Sequence, residues 1–283
     1  MDKLKLIECP RDAMQGLQDF VPTDTKAAYI NEILSCGFDT VDFGSFVSPK
    51  AIPQLKDTSA VLSKLNISDT KLLAIVANER GAIDACEFDR IDYLGFPFSV
   101  SEEFQKRNTN STIDESFNRV ERIKEIADKH GKDMVLYLSM GLGNPYGEEW
   151  HPDIVTAWSE KLKDKLDIKI QAVSDTIGCG TPELVNSLFS TLIPSIGDVE
   201  FGAHLHALPE NAKKLIKSSY SAGCRRFDVA IKGFGGCPMA TDDLTGNMPT
   251  EKMLEWLNEH NISSGINERQ FGIAMEKSLQ VFP

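Results

Sequence analysis

Eight apolar runs of strand length, each followed by an amphipathic helical stretch and with no long structureless linker between them, predict a single-domain α/β chain closed into a (β/α)8 TIM barrel. A doubly wound open sheet is the other way to arrange such units, and the count of eight favours the closed form. The composition agrees with one large core. The chain has 283 residues, of which 41% are hydrophobic and 25% charged, an ordinary globular balance.

Taken in order, residues 4–9 are the first strand candidate. Residues 23–36 then carry Ala27, Ile30, Ile33 and Leu34 at helical spacing and stop at Gly37. The pattern returns with a strand at 40–43 and a helix near 59–65, then a strand at 71–76 and a helix near 79–86. A fourth strand runs near 92–98. Thr112-Ile113-Asp114-Glu115 has capping-box spacing and opens a long helix with Ile113, Phe117, Val120, Ile123 and Ala127 on one face, closing near Gly131. Strand five covers 134–140. A helix opens at Pro152 and runs through Leu166, and strand six covers 169–173. Thr181-Pro182 places a cap and a first-turn proline before Leu184, Leu188 and Leu192. Strand seven ends in His204-Leu205-His206; a helix follows at 211–222, strand eight at 225–231 and helix eight at 250–257. The domain is expected to span residues 1–283, with those after about 262 packing on the barrel as a C-terminal extension.

A net charge of −12 and a pI near 4.9 argue against nucleic acid or an anionic membrane as partner. No apolar run approaches the ~18 residues of a membrane span, and the N-terminus enters a strand-like run by Leu4 without a signal or transit pattern. A cytoplasmic protein is expected. The six cysteines (Cys9, Cys36, Cys86, Cys179, Cys224 and Cys237) are scattered without a Cys-x-x-Cys, which fits reduced thiols, most of them packed in the core.

Active sites of such barrels lie at the carboxyl ends of the strands. Polar residues there are Arg11, Asp12, Asp42, Ser45, Ser139, Asp175, Thr176, His204, His206 and the segment 233–247. Two histidines at i and i+2 of a strand share a face about 7 Å apart, close enough to converge on one cation. Taken alone, such a pair is more often two polar residues of a half-buried strand. With Asp12 it becomes a mixed oxygen and nitrogen set suited to a divalent metal, to which Asn247 adds an amide oxygen, although Gly246-Asn247 is by itself a turn signature. Arg11 beside Asp12 is either a strand-end ion pair or a fixed guanidinium placed to stabilise an enolate. Cys237 follows Gly233-Phe234-Gly235-Gly236, where a thiol on a thin loop can transfer a proton, or simply be buried. Asp42 and Asp175 either orient ligands or cap strand ends.

Glu8-Cys9-Pro10-Arg11-Asp12-Ala13-Met14-Gln15, Ser45-Phe46-Val47-Ser48-Pro49-Lys50, Asp175-Thr176-Ile177-Gly178, His204-Leu205-His206 and Gly235-Gly236-Cys237-Pro238 with Gly246-Asn247 resemble the 3-hydroxy-3-methylglutaryl-CoA lyases, in order from the first strand to Asn247. Arg107-Asn108 and Asn110 resemble that family's fourth loop. Arg-Asp and His-x-His are shared with the wider superfamily of metal-dependent Claisen and aldol barrels. The resemblance implies cleavage of (S)-3-hydroxy-3-methylglutaryl-CoA to acetyl-CoA and acetoacetate, as in leucine catabolism and ketone-body formation, assisted by Mg²⁺ or Mn²⁺, with Zn²⁺ accepting the same ligands. By position it implies that Asp12, His204, His206 and Asn247 bind the metal, Arg11 steadies the thioester enolate, Cys237 moves a proton, and Asp42 and Asp175 support. An acyl-CoA substrate and a homodimer are implied as partners, and Lys50, Lys106 and Arg107 are candidate CoA contacts that are equally well read as surface cations.

The chain departs from the family pattern at Ala13, Met14 and Gly16, at Asp42 where a glutamate is usual, and at Ala207-Leu208-Pro209-Glu210 after the histidine pair. The usual Gly-rich stretch before the ligand asparagine is replaced by Met239-Ala240-Thr241-Asp242-Asp243-Leu244-Thr245, a stiffer and acidic lid that bears on the exact substrate. Three alternatives follow. One is a related 3-hydroxyacyl-CoA lyase; another is a Claisen condensation like that of isopropylmalate or homocitrate synthases, which lack the Gly-Gly-Cys-Pro loop; the third is an inactive barrel that only binds CoA esters.

Overall fold

Parallel strands buried on both faces read as continuous apolar runs, and the computed structural model, which describes residues 3–236 and 245–282, turns each such run into a barrel strand. The chain proceeds through β1 (Lys5–Glu8), α1 (Pro10–Met14), α2 (Thr23–Leu34), β2 (Thr40–Ser45), α3 (Thr58–Leu62), β3 (Lys71–Ile75) and α4 (Glu79–Cys86). It continues with β4 (Tyr93–Ser99), α5 (Glu102–Thr109), α6 (Ile113–Lys129), β5 (Asp133–Ser139), α7 (Pro152–Leu166), β6 (Ile170–Ser174) and α8 (Pro182–Ser195). It ends with β7 (Glu200–His204), α9 (Pro209–Ser221), β8 (Arg226–Val229), α10 (Thr250–Glu259) and α11 (Glu268–Ser278). The strands pair in sequence order, all parallel, and β8 returns to β1 in the register Lys5↔Arg226 to Glu8↔Val229, which closes the barrel.

The helices cover the barrel because each lays an apolar stripe on it. In α6 the stripe includes Val120, Ile123 and Ala127, and its start is the expected capping box, with Thr112 and Glu115 each accepting the other's backbone N–H. The large core lies between the sheet and these helices, while a smaller cluster of Leu73, Ile75, Tyr93, Val135, Tyr137 and Ala172 fills one side of the barrel's interior. Gly95 belongs to that interior: a Cβ there would collide with Ile75, Leu73 and Tyr137.

Three helices lie where no helix is expected from periodicity. The single turn α1, opened by Pro10, is too short to show a period, and it turns Arg11 and Asp12 over the end of β1. Helix α5 is capped by Ser101 and buries only Phe104 and Gln105, so it carries no apolar stripe. Helix α11, capped by Asn267, lies against α2; Phe271 meets Phe38 with ring centroids 6.4 Å apart, and the Asn267 N–H donates to the Cys36 carbonyl at 2.8 Å. Strand β7 also stops at His204. His206 lies one step beyond, in an isolated antiparallel bridge with Asn247, because Leu205 gives its carbonyl to Met248 of the returning chain rather than to β8.

Candidate active site

Asp12 on α1, His204 at the end of β7 and His206 just after it meet at the carboxyl end of the barrel, where one ligand atom from each lies within 4.8 Å of the other two. The imidazole centroids of the histidines are 5.5 Å apart. The Asn247 amide donates to Asp12 Oδ2 at 2.8 Å and to the Phe234 carbonyl at 2.9 Å, which leaves its Oδ1 as the atom free to accept. Burial, reinforced by His204, pushes the His206 pKa down to about 4, so this ring is neutral at neutral pH, the form that ligates a metal. For Asp12 burial works against ionisation, but Arg11, His204, Asn247 and His206 outweigh it and hold the pKa below its ordinary value. A buried carboxylate with two imidazoles and an amide oxygen at hand fits a hard-to-intermediate divalent cation. A second possible group, Cys9, His204 and Asp228, shares His204; burial, then the carboxylates around it, pushes the Cys9 thiol well above its ordinary pKa, which disfavours the thiolate a metal needs.

Arg11 is locked beside this group. Its Nε and Nη2 reach the Asp42 carboxylate at 2.5–3.1 Å, and its Nη1 donates to Asp12 Oδ1 at 3.1 Å and to Gln15 Oε1 at 3.0 Å. Burial raises the Asp42 pKa to about 6 against the pull of Arg11, so at neutral pH the pair is ionised; burial opposes the charge on Arg11 too, and its carboxylate neighbours hold its pKa above the ordinary value. Asp42 thus sits behind the guanidinium and orients it. Asp175 lies elsewhere: its oxygens accept the N–H groups of Cys179 and Gly180 at 2.9 Å, which shapes the loop after β6, while its neighbours Ser174 and Thr176 face the cavity. Cys237 and the segment 239–244 fall outside the described residues. On their flank, Gly235 (φ 95°) passes so close to Ala13, the Asp12 carbonyl and the Asn247 amide that a side chain would not fit.

Two site residues escape the sequence reading. Asp228 Oδ2 lies 3.1 Å from His204 Nδ1, the arrangement in which a carboxylate fixes the tautomer of a metal-binding imidazole. Burial lowers the His204 pKa, yet the Asp228 hydrogen bond and charge, followed by Asp12, bring it out above the ordinary value. The available signal was Arg226 and Asp228 at i, i+2 in an otherwise apolar strand, two charges on the face that looks into the barrel. Gln15 bridges Arg11 and Asp12, and its place four residues after Arg11 on a helical turn was the corresponding signal.

Above these groups opens a cavity of about 340 Å³ whose walls include Val47, Ile52, Ile75, Pro97, Phe104 and Tyr137, with Arg11, Asp12, His204 and His206 also lining it. Arg107 and Asn108 also face it, whereas Lys106 pairs with Glu102 at 3.0 Å on α5 and Lys50 is an exposed loop residue. This combination, a ligand cluster and a fixed cation under a cavity of mixed polarity, suits an anionic substrate with an acyl chain.

The family model described as HMGL-like matches residues 4–276. The chain belongs to the HMGL-like family. It is 29% identical over 266 residues to the cytoplasmic 3-hydroxy-3-methylglutaryl-CoA lyase of Rattus norvegicus, covering 93% of this chain and 77% of the relative. Among solved structures, the HMG-CoA lyase of Brucella melitensis superposes with a TM-score of 0.89 at 29% identity, covering 99% of this chain and 98% of that one. An HMG-CoA lyase from Acinetobacter baumannii, in complex with coenzyme A and 3-methylmalate, superposes with a TM-score of 0.91 at 28% identity, covering 99% and 91%. The HMGL-like family is metal-dependent, and Asp12, His204 and His206 form a group in this chain that could hold a metal ion. No described helix is long and apolar enough to cross a membrane.

Proposed function

We propose that this HMGL-like chain is a metal-dependent carbon–carbon lyase that cleaves (S)-3-hydroxy-3-methylglutaryl-CoA to acetyl-CoA and acetoacetate. The observation that carries this reading is the contact of Arg11 with Asp12: a permanent cation and a metal-ligand cluster meet on the floor of one cavity. Asp12, His204, His206 and Asn247 would hold the ion, which when bound acidifies the tertiary hydroxyl of the substrate. The hydroxyl proton passes to solvent water, the alkoxide collapses to the ketone of acetoacetate, and the electron pair of the broken carbon–carbon bond passes to the thioester as an enolate. The Arg11 guanidinium, aimed by Asp42 and Gln15, stabilises that negative charge at the moment it forms. Cys237 then supplies the proton that makes the acetyl methyl group.

Mg²⁺ or Mn²⁺ is the proposed ion, and Zn²⁺ accepts the same donors, since imidazole and carboxylate ligate all three. Arg107 on the cavity rim is the candidate CoA contact. The proposal extends to one domain over residues 1–283, a homodimer, a cytoplasmic site of action and a place in leucine catabolism. The test is metal-stripped protein resupplied with Mg²⁺ or Mn²⁺ and given the substrate: acetoacetate and acetyl-CoA in equal amounts are expected only with metal. Metal binding without product overturns the substrate, and product without metal overturns the centre. Solvent-isotope exchange into the methyl group of acetyl-CoA separates a lyase from a barrel that merely binds CoA esters.

A further inference from the structure

We infer that Glu8 is a positioning residue that fastens both ends of the β8–α10 connection and thereby sets the place of Asn247; the inference rests on Asn247 serving as a metal ligand. Glu8 is the last residue of β1 and fully buried. Its Oε1 accepts the backbone N–H of Ile231 at 2.8 Å, just after β8, and its Oε2 pairs with the hydroxyl of Thr250 at 2.6 Å, the first residue of α10. Ile231 is where the connection leaves the barrel and Thr250 is where it comes back.

Between those ends the described residues are laid across the mouth. Ala230 and Met248 share a backbone hydrogen bond of 2.9 Å, Thr250 donates to the Ala230 carbonyl at 3.1 Å, and Met248 and Gly246 reach Leu205 and Ala207 of the chain after β7. Asn247, at the centre of this returning segment, is bridged to His206 and bonded to Asp12. The Glu8 carboxyl group is therefore the tie between β1, which leads into Asp12, and the segment that carries Asn247.

Packing alone gives no reason for a carboxyl group here. The titratable groups that face it are Glu251 on α10, Tyr29 and Cys36 on the α2 side, and Cys9 next to it on the chain, none of them a cation. A buried carboxyl without a counter-charge is costly unless its oxygens are hydrogen-bonded, and the bonds to Ile231 and Thr250 are what its oxygens obtain.

The experiment measures Mn²⁺ affinity on folded, full-length protein by electron paramagnetic resonance, together with the melting temperature, for wild type, Glu8→Leu, Glu8→Gln, Thr250→Val and Asn247→Ala. Glu8→Leu is expected to weaken Mn²⁺ by about tenfold or more, the size of an outer-shell lesion, and Thr250→Val by less. Glu8→Gln keeps an oxygen for Ile231 and gives an amide N–H to the Thr250 hydroxyl, so it retains wild-type affinity. If Glu8→Leu and Thr250→Val melt earlier but bind Mn²⁺ as wild type does, while Asn247→Ala binds weakly, Glu8 is only structural and the inference falls alone. If Asn247→Ala leaves the affinity unchanged, the inference falls together with the ligand assignment. Should Glu8→Leu not fold, Thr250→Val decides.

Discussion

Inside the barrel, the strands β3 to β6 and the strands β7, β8, β1 and β2 solve the same problem in opposite ways. The first half presents Leu73, Ile75, Tyr93, Val135, Tyr137 and Ala172, which fill space by shape. The second presents charges in ion pairs: His204 with the buried Asp228 at 3.1 Å, Asp42 with Arg11, both buried, at 2.5 Å, and Lys5 and Arg226 with the half-buried Glu200 at 2.5 and 3.1 Å. Apolar neighbours ask little of one another beyond volume, whereas removing one member of a buried pair strands its partner in a medium that cannot solvate it. The chemistry divides along the same line. On the proposed function the charged half would hold the cation and the enolate, while the apolar half continues upward as the wall of the cavity.

That division is broken most severely at the ligands. His206→Ala is expected to abolish turnover and Mn²⁺ binding together while the barrel still folds; metal content and activity of the purified variant check this, and full activity would remove the central claim. Arg11→Gln comes next, with a loss of about 10²–10³ in kcat, the usual effect of deleting a donor aimed at developing negative charge. Its metal should stay bound, so a variant that loses metal as well would mark Arg11 as a support for Asp12 instead. Asp228→Asn removes the charge behind His204 and should cost about 10–100-fold in Mn²⁺ affinity without unfolding.

The apolar half and the outer helices were the legible part of the sequence. Strands such as Leu72 to Val76 or Leu136 to Leu138 stand out because both of their faces are buried, and helices such as α6 stand out because a stripe must meet the barrel. Helices α1 and α5 were illegible for physical reasons, one being a single turn and the other almost without buried residues. In the charged half, Asp12, His204 and His206 were nameable because an aspartate and a His-x-His pair near strand ends make a mixed donor set, and the structure brings the three together. Asp228 was not. In a strand of alternating polarity a charged residue reads as facing water, and only closure of the barrel turns that face into the lumen.

A pH series tests the cost of burying charge outside the lumen. Glu8 has its pKa raised from 4.5 to about 8, by burial first. The folded chain then holds a proton that the unfolded chain has released, so this group favours the fold below about pH 4.5 and its contribution is lost as the pH rises through about 8. Glu8→Gln should flatten that slope, gaining on wild type in urea melts as the pH increases; parallel curves for the two proteins would show that Glu8 does not titrate there. Asp42, raised to about 6 by burial, acts in the same direction over a lower and narrower window, so some slope should persist in the variant.

The smallest effect is expected from Ile75→Val, in the apolar half. Ile75 packs in the lumen cluster and also lines the acyl cavity, so its lost methylene touches both fold and substrate. Stability should fall by about 0.5–1.5 kcal/mol, the ordinary cost of that deletion in a core. Because no charge loses a partner, Mn²⁺ affinity should not move, and kcat should hold while KM for the acyl-CoA shifts slightly. A change in metal affinity here would mean that the two halves of the lumen are mechanically coupled, with the apolar packing setting the distances between the ligands. Unchanged affinity, set beside its loss in Asp228→Asn, would place control of the metal site entirely in the paired charges of β7, β8, β1 and β2.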